Sequence, residues 1–230
     1  MAGPASLVYS RDMANSGDIT RLEADVLIIG GGFGGIWAAL RASQISRRVI
    51  VVDKAYVSRS GASTMSGGVT NAPTDEDDLQ TWVDEMVVRG SYMCNQDWTW
   101  QLLELQRERI RDFEAWGVPI VRDDQGRIKR FASRGMVTVR CLQYNPKKAM
   151  EILRARALAQ GVQILDRFCI TDLLTTDGQY PTRGAVAGAV GFNTRSGERL
   201  VVRARRTIVA TGMTAMKGTH RVDNTTGDGM

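Results

Sequence analysis

A single histidine, His220, and three cysteines are all the imidazole and thiol that the 230 residues contain. One histidine excludes a multi-histidine metal site built within this chain. Cys94, Cys141 and Cys169 lie 47 and 28 residues apart, form no CxxC pair and are odd in number. That spacing argues against a disulfide framework or a zinc site and for reduced thiols in a cytoplasmic compartment. No apolar run approaches the roughly 20 residues of a membrane span. Residues 1–22 lack the apolar stretch of a secretory signal and read as a flexible extension. Lysine is scarce, 5 against 25 arginines, and with 25 acids the net charge is +5. The arginines are scattered, not clustered among aromatics, so no nucleic-acid partner is expected. A composition of 43% hydrophobic and 24% charged residues excludes disorder, collagen and coiled coil.

What is present is an α/β pattern. Ala24 to Ile29 is a short apolar run that flows into glycine, as a strand buried on both faces does. The alanine-rich stretch from Gly34 to Gln44 places Ile36, Ala39 and Leu40 on one helical face. Val49 to Asp53 is a second strand, which completes a βαβ unit of about 30 residues. Three helices are expected beyond it. Thr74 with Asp77 starts the first, which carries Leu79, Trp82, Val83 and Met86; Asp97 caps the second, with Leu102, Leu105, Ile110 and Phe113. Asn145-Pro146 opens the third, which carries Ala149, Met150, Leu153 and Ala157 and stops at Gly161. Strands return at 162–165 and 169–174. A hairpin turns at Arg195-Ser196-Gly197, and a further buried strand runs from Thr207 to Gly212.

The motif with chemical meaning is Gly30-x-Gly32-x-x-Gly35, placed between the first strand and the first helix. The first glycine permits a tight turn, the second lets backbone approach a pyrophosphate, and the third lets helix and strand pack closely. Phosphates then meet free N–H groups at the positive end of the helix dipole. Asp53 lies 18 residues past Gly35, where a carboxylate can accept hydrogen bonds from a ribose and would repel a 2′-phosphate. This is a dinucleotide site, and the glycines alone leave open whether FAD or NAD occupies it. The loop from Ser58 to Gly68, rich in small residues with hydroxyl and amide donors, suits close packing along an extended polar cofactor.

These residues resemble the succinate dehydrogenase/fumarate reductase flavoprotein family, whose relatives include L-aspartate oxidase and the adenylylsulfate reductase flavoprotein. The resemblance runs from Ala24 to Met230. It is carried by GGGFGG at 30–35, DKAYVSRSGASTMSGG at 53–68, ATG at 210–212 and TTGDG at 225–229. It implies FAD, with Gly30, Gly32, Phe33, Gly34 and Gly35 at the pyrophosphate and Asp53 and Lys54 at the adenosine. Arg59, Ser60, Gly61, Ser63, Thr64, Ser66, Gly67 and Gly68 would run beside the flavin. Ile170 would touch the adenine through its backbone, and Ala210, Thr211, Gly212 and Asp228 would complete the site. Membrane-bound members carry a flavin-linking histidine within RSHT; here Gly61 holds that position, which implies non-covalent FAD. The RSGA-type loop is similar to the adenylylsulfate reductase and soluble fumarate reductase branches.

The implied architecture is a Rossmann-like FAD-binding domain over 23–230, with a parallel sheet, a hairpin or meander crossover and a helical insertion at about 74–160. The family's capping domain, with its proton donor and substrate-binding arginine and histidines, is absent. The sequence stops at the second glycine motif, which reads as a truncation. The implied activity is hydride transfer between flavin N5 and a small substrate, and an iron–sulfur subunit is an expected electron partner. Two other readings remain: a non-catalytic nucleotide-binding subunit or fragment that needs a partner, and an NAD-dependent dehydrogenase. No catalytic residue is assigned. His220, Arg130 and Arg134 read as surface residues, the tryptophans 82, 98, 100 and 116 as packing residues, and Cys94 and Cys141 as inert thiols.

Overall fold

A computed structural model describes residues 19–212. Chain order gives β1 (Ile19–Ile29), α1 (Phe33–Ala42), β2 (Val49–Asp53), α2 (Ala62–Met65) and β3 (Val69–Asn71). There follow α3 (Leu79–Arg89), α4 (Gln96–Ala115), β4 (Phe131–Ala132), β5 (Arg140–Gln143) and α5 (Pro146–Ala159). The chain then forms β6 (Gln163–Asp166), β7 (Phe168–Thr175), β8 (Val186–Asn193) and β9 (Arg199–Val209). The main sheet has the order β6-β2-β1-β9-β8-β7. β6, β2, β1 and β9 run parallel, while β7, β8 and β9 form an antiparallel meander.

Two layers cover this sheet. On one face Ile36, Ala39 and Leu40 of α1 meet Met150, Leu153 and Ala157 of α5 over Ile28, Val49 and Val51. On the other, Leu27, Ile29, Ile50 and Val52 pack with Ala189, Leu200 and Val202 of the meander. Burial on both faces is why the β1 and β2 sequences are continuous apolar runs and do not alternate. A third core joins α3 to α4 through Trp82, Val83, Val87, Leu103 and Val139.

The structure changes several sequence expectations. β1 begins at Ile19, so residues 19–22 belong to the sheet and not to an extension, because Ile19 to Leu22 pair in register with Arg199 to Val202. Asp78 caps α3, accepting from the amides of Gln80 and Thr81; Asp77 instead accepts from Thr74 N at 2.6 Å. Asn95 caps α4 through Trp98 N, which leaves Asp97 in the first turn. Asn145 caps α5 as its sequence predicts, accepting from Lys148 N at 2.9 Å. The buried stripe of α4 is Thr99, Leu103 and Phe113, while Leu102 and Leu105 are exposed. The helical insertion also carries a small sheet of order β3-β5-β4.

The expected last strand is not separate: β9 runs unbroken from Arg199, and Ile208 and Val209 are exposed, not buried. β8 pairs only with residues 199–203, which leaves the later part of β9 paired to β1 on one side. Trp98 is also exposed, whereas Trp82 is buried and Trp116 packs against Trp37. Cys141 is buried, and Cys94 and Cys169 are half-buried free thiols. No helix among the described residues is long and apolar enough to cross a membrane, and no group among them could hold a metal ion.

Glu85 ties the insertion together. Its carboxylate accepts from Val137 N, from the amide and hydroxyl of Thr138, and from Val139 N, which holds the approach to β5 against α3. These donors lower its pKa from 4.5 to about 2, the Thr138 hydroxyl first. A carboxylate held low in the folded state stabilises it above its unfolded pKa, and that contribution is lost as pH falls through the folded value. Denaturant unfolding of Glu85→Ala and the parent chain should therefore differ most near neutral pH. The gap should close between about pH 4.5 and 2; a gap independent of pH would disprove the role.

Candidate functional site: the glycine turn and the loop beside it

Three stretches of backbone converge at the end of β1. Gly30 has φ +103°, and a Cβ there would stand 2.3 Å from the Ala210 carbonyl oxygen. Gly35, one turn into α1, is tighter: its Cβ would fall 1.8 Å from the Gly30 carbonyl oxygen. Ala210 N donates to Ile29 O and Gly30 N to Val52 O, both at 2.8 Å, so the turn is stitched to strands on each side. Gly34 has open space around it. The spacing thus has a steric cause at Gly30 and Gly35 and none at Gly34.

The helix that follows offers donors. Gly32 is its N-cap, no side chain caps it, and the first intrahelical bond is made by Ile36 N to Gly32 O. The amides before that bond are the ones an α-helix leaves unsatisfied. Ser63 Oγ accepts one of them, from Phe33 N at 3.0 Å, and the same hydroxyl lies against the space beside Gly32. The Phe33 ring points elsewhere, into a cluster with Phe113 at 6.2 Å and Tyr144 at 6.0 Å. Burial in that cluster raises the Tyr144 hydroxyl to about 12.

Asp53, at the end of β2, accepts from Gly31 N at 2.7 Å and from Ala55 N at 2.8 Å. A carboxylate has about four acceptor sites, so two remain for further donors. The side chain of Val57 fills the space beside Gly31, which excludes a Cβ there.

The small-residue loop is anchored at intervals. Ser58 is buried with φ +78°, a left-handed conformation uncommon outside glycine. Ser60 Oγ donates to Tyr56 O at 2.9 Å, and Gly61, at φ +83°, opens the short α2. Thr64 Oγ1 is buried without a hydrogen-bond partner among the described residues. Such an orphan is a polar group that a ligand in this loop could satisfy. Ser66 is exposed, and its hydroxyl reaches Ser63 O at 3.5 Å. Gly68 is held for a structural reason: a Cβ would meet Tyr144 O at 2.1 Å, and Gly68 O accepts from Tyr144 N.

The expected residues therefore divide. Gly30 to Gly35, Asp53, Ser63 and Ala210 come together at one turn. Lys54, Arg59 and Ser60 instead line an open depression beside it. Thr211 lies next to the turn, with its Cα 3.1 Å from the position of a Gly30 Cβ, and Gly212 has φ +89°. Ile170 lies in β7, pairs with Gly191 and packs on the meander core with Phe168. Asp228 and His220 lie outside the described residues. Arg134 is exposed as expected, but Arg130 is not a free surface residue: it pairs with Asp77 at 2.7 Å and lies over Trp82 at 5.6 Å.

Two supporting residues escaped the sequence reading. Asp166 ends β6 in register with Asp53, accepts from Val57 N at 2.9 Å and binds Arg154 through both oxygens at 2.9 and 2.7 Å. Arg154 also covers the Tyr56 ring at 4.4 Å. The only sequence signal was an acid closing a strand, as Asp53 does.

Residues 25–227 match a family described as FAD binding domain, which covers most of the chain. The 8-methylmenaquinol:fumarate reductase flavoprotein of Wolinella succinogenes is 29% identical over 198 residues, 83% of this chain and 31% of that protein. The fumarate reductase flavoprotein of Escherichia coli is 26% identical over 216 residues, 90% of this chain and 35% of that one. Among solved structures, E. coli quinol fumarate reductase superimposes with a TM-score of 0.72 at 25% identity, over 84% of this chain and 33% of that one. Adenylylsulfate reductase of Archaeoglobus fulgidus gives 0.71 at 28% identity, over 85% and 31%. The chain thus spans about a third of the length of these relatives.

The steric argument separates two neighbouring glycines. Gly35→Ala should cost about 3 kcal/mol or more, since backbone on both sides must move. Gly34→Ala should stay within about 1 kcal/mol of the parent, on the stabilising side. Thermal unfolding of the two variants measures both, and equal effects would rule out the packing role of Gly35.

Proposed function

The chain belongs to this family of FAD-binding domains, and we propose that it is the cofactor-holding part of a fumarate reductase-like flavin-dependent oxidoreductase. FAD supplies the chemistry, the exchange of a hydride between its N5 and a small substrate. The protein's part is to hold and orient it. The amides of Gly32, Gly34 and Gly35 face the pyrophosphate at the positive end of α1, where no acidic side chain stands in the first turn, while the Phe33 amide is held by Ser63. The two acceptor sites that Asp53 retains take the adenosine ribose hydroxyls. Ser63, Thr64 and the amides from Gly61 to Gly68 lie along the rest of the cofactor, and the orphaned Thr64 hydroxyl gains its partner there. The observation that carries this reading is the polar set at the glycine turn: helix amides as donors, a strand-end carboxylate as acceptor and an unsatisfied hydroxyl within one loop system.

Gly61 has no side chain to attack the flavin, so FAD is held non-covalently. The substrate, the proton donor and an iron–sulfur partner belong to the whole enzyme, and the compartment is cytoplasmic. The relatives' names, fumarate reductase and adenylylsulfate reductase, set the class of reaction proposed: two-electron transfer to or from a small anionic molecule.

The test begins with the purified chain and added FAD. After desalting, absorbance near about 450 nm should remain with the protein, as for any oxidised flavin. On acid precipitation the yellow colour should pass entirely into the supernatant. Colour in the pellet would refute non-covalent binding, and retention of NAD without FAD would refute the flavoprotein reading. Asp53→Ala should weaken FAD binding about tenfold or more, equivalent to about 1.4 kcal/mol, measured by fluorescence titration of the flavin.

A further inference from the structure

The loop from Lys54 to Ser60 joins Asp53 to the small-residue stretch that opens at Gly61, and it contains no helix or strand. Its local bonds, from Arg59 N and Ser60 Oγ to Tyr56 O at 3.0 and 2.9 Å, close a turn without fixing where that turn sits. Ser58 at its centre is buried with φ +78°. A non-glycine residue keeps such a conformation only where its surroundings enforce it.

The enforcement comes from α5. Arg154 grips Asp166 at 2.9 and 2.7 Å, and Asp166 in turn accepts from Val57 N at 2.9 Å. Arg154 Nη1 also donates to Val57 O at 3.4 Å, and the guanidinium lies over the Tyr56 ring at 4.4 Å. One ion pair thus answers both the N–H and the C=O of Val57, the residue just before the strained Ser58. The two side chains are only 16% and 17% exposed, so water screens the pair weakly and cannot readily replace a missing partner.

The effect reaches Asp53. The Val57 side chain fills the space beside Gly31, 2.2 Å from where a Cβ would stand. Asp53 accepts from Gly31 N with one oxygen and from Ala55 N with the other, at 2.7 and 2.8 Å. One oxygen is anchored to the glycine turn and the other to the loop, so the direction of its free acceptor sites follows the position of the loop.

We propose that Arg154 is a positioning residue for the cofactor. Acting through Asp166 and Val57, it aims the free acceptor sites of Asp53 and so sets the affinity for the adenosine end of FAD. The proposal rests on the FAD reading above and adds to it a residue of α5 that makes no hydrogen bond to Asp53 or to the glycine turn.

The test is a double-mutant cycle, read by flavin fluorescence as the whole chain is titrated with FAD. Arg154→Met keeps an apolar stem and should raise Kd about tenfold, equivalent to about 1.4 kcal/mol. In an Asp53→Ala background the same substitution should change Kd by less than about twofold, because no carboxylate is left to aim. Asp166→Asn keeps an acceptor for Val57 N but drops the charge, and it gives a second reading should Arg154→Met not fold. It should weaken FAD binding about threefold with Asp53 present and leave it unchanged with Asp53→Ala. Equal losses in the two backgrounds would overturn the proposal, since Arg154 would then support the fold at large and not Asp53. An unchanged Kd in both Arg154→Met and Asp166→Asn, with the parent binding FAD, would overturn this proposal alone. No FAD binding by the parent would overturn the flavoprotein reading and this proposal with it.

Discussion

Everything near the site depends on one close approach. Gly30, Gly35 and Ala210 bring β1, α1 and the end of β9 to distances that leave no room for a Cβ at either glycine. Helix and strand can then pack backbone to backbone, so the first turn of α1 starts directly above the sheet edge. The helix amides are thereby aimed at one point, and the end of β9 is fixed beside them. A wider approach would move the positive end of α1 away from the carboxylate of Asp53, and no side-chain contact could restore that geometry.

Around this point, two acids at paired strand ends do complementary work. Asp53 and Asp166 are in register on β2 and β6. The first holds the amides of Gly31 and Ala55. The second holds Val57 N and takes a two-pronged grip from Arg154, with both side chains largely shielded from solvent. Charge-assisted pairs of this kind are among the stronger hydrogen bonds in proteins, and their geometry is directional. Their effect here is to fix the loop from Lys54 to Ser60 at both ends. Val57 can then fill the space beside Gly31, and Tyr56 lies under the Arg154 and Arg59 guanidiniums at 4.4 and 4.8 Å. The loop is positioned by the sheet, not by its own sequence.

How much of this was legible in sequence follows from what each residue interacts with. The glycine spacing was readable because it answers to backbone sterics, which are local and general. Asn145-Pro146 was readable for the same reason, since a cap and a proline at the first helical position act within one turn. Asp78 and Asn95 were missed because neighbouring polar residues, Thr74 and Asp97, present equally good local signals; tertiary packing chose between them. Leu102 and Leu105 fit a helical period as well as Leu103 does, but only Leu103 faces α3. β3, β4 and β5 span two to four residues each and are specified by cross-strand pairing, for which no periodicity that short can speak. Arg130 looked like one more dispersed arginine until the fold set Asp77 and Trp82 around it. The same holds for Arg154 and Asp166, 12 residues apart in sequence and joined only by the return of β6 to β2.

The insertion, for its part, cannot be treated as an ornament on the nucleotide-binding fold. Phe33, the first residue of α1, packs with Phe113 of α4 and Tyr144 just before α5, and Phe113 in turn stacks on Trp37 at 6.2 Å. Trp116 completes the cluster against Trp37 at 5.0 Å. Aromatic pairs at such distances each add about 0.5–1.5 kcal/mol beyond area burial. The cluster therefore joins the far end of the insertion to the residue whose amide opens α1. Ser63 bonds that same amide from the other side. The first turn of α1 is thus clamped between an apolar contact with the insertion and a polar contact with the small-residue loop. With the Phe33 amide bonded to Ser63, this clamp fixes the direction of the neighbouring Gly34 and Gly35 amides, which make no bond to the scaffold themselves.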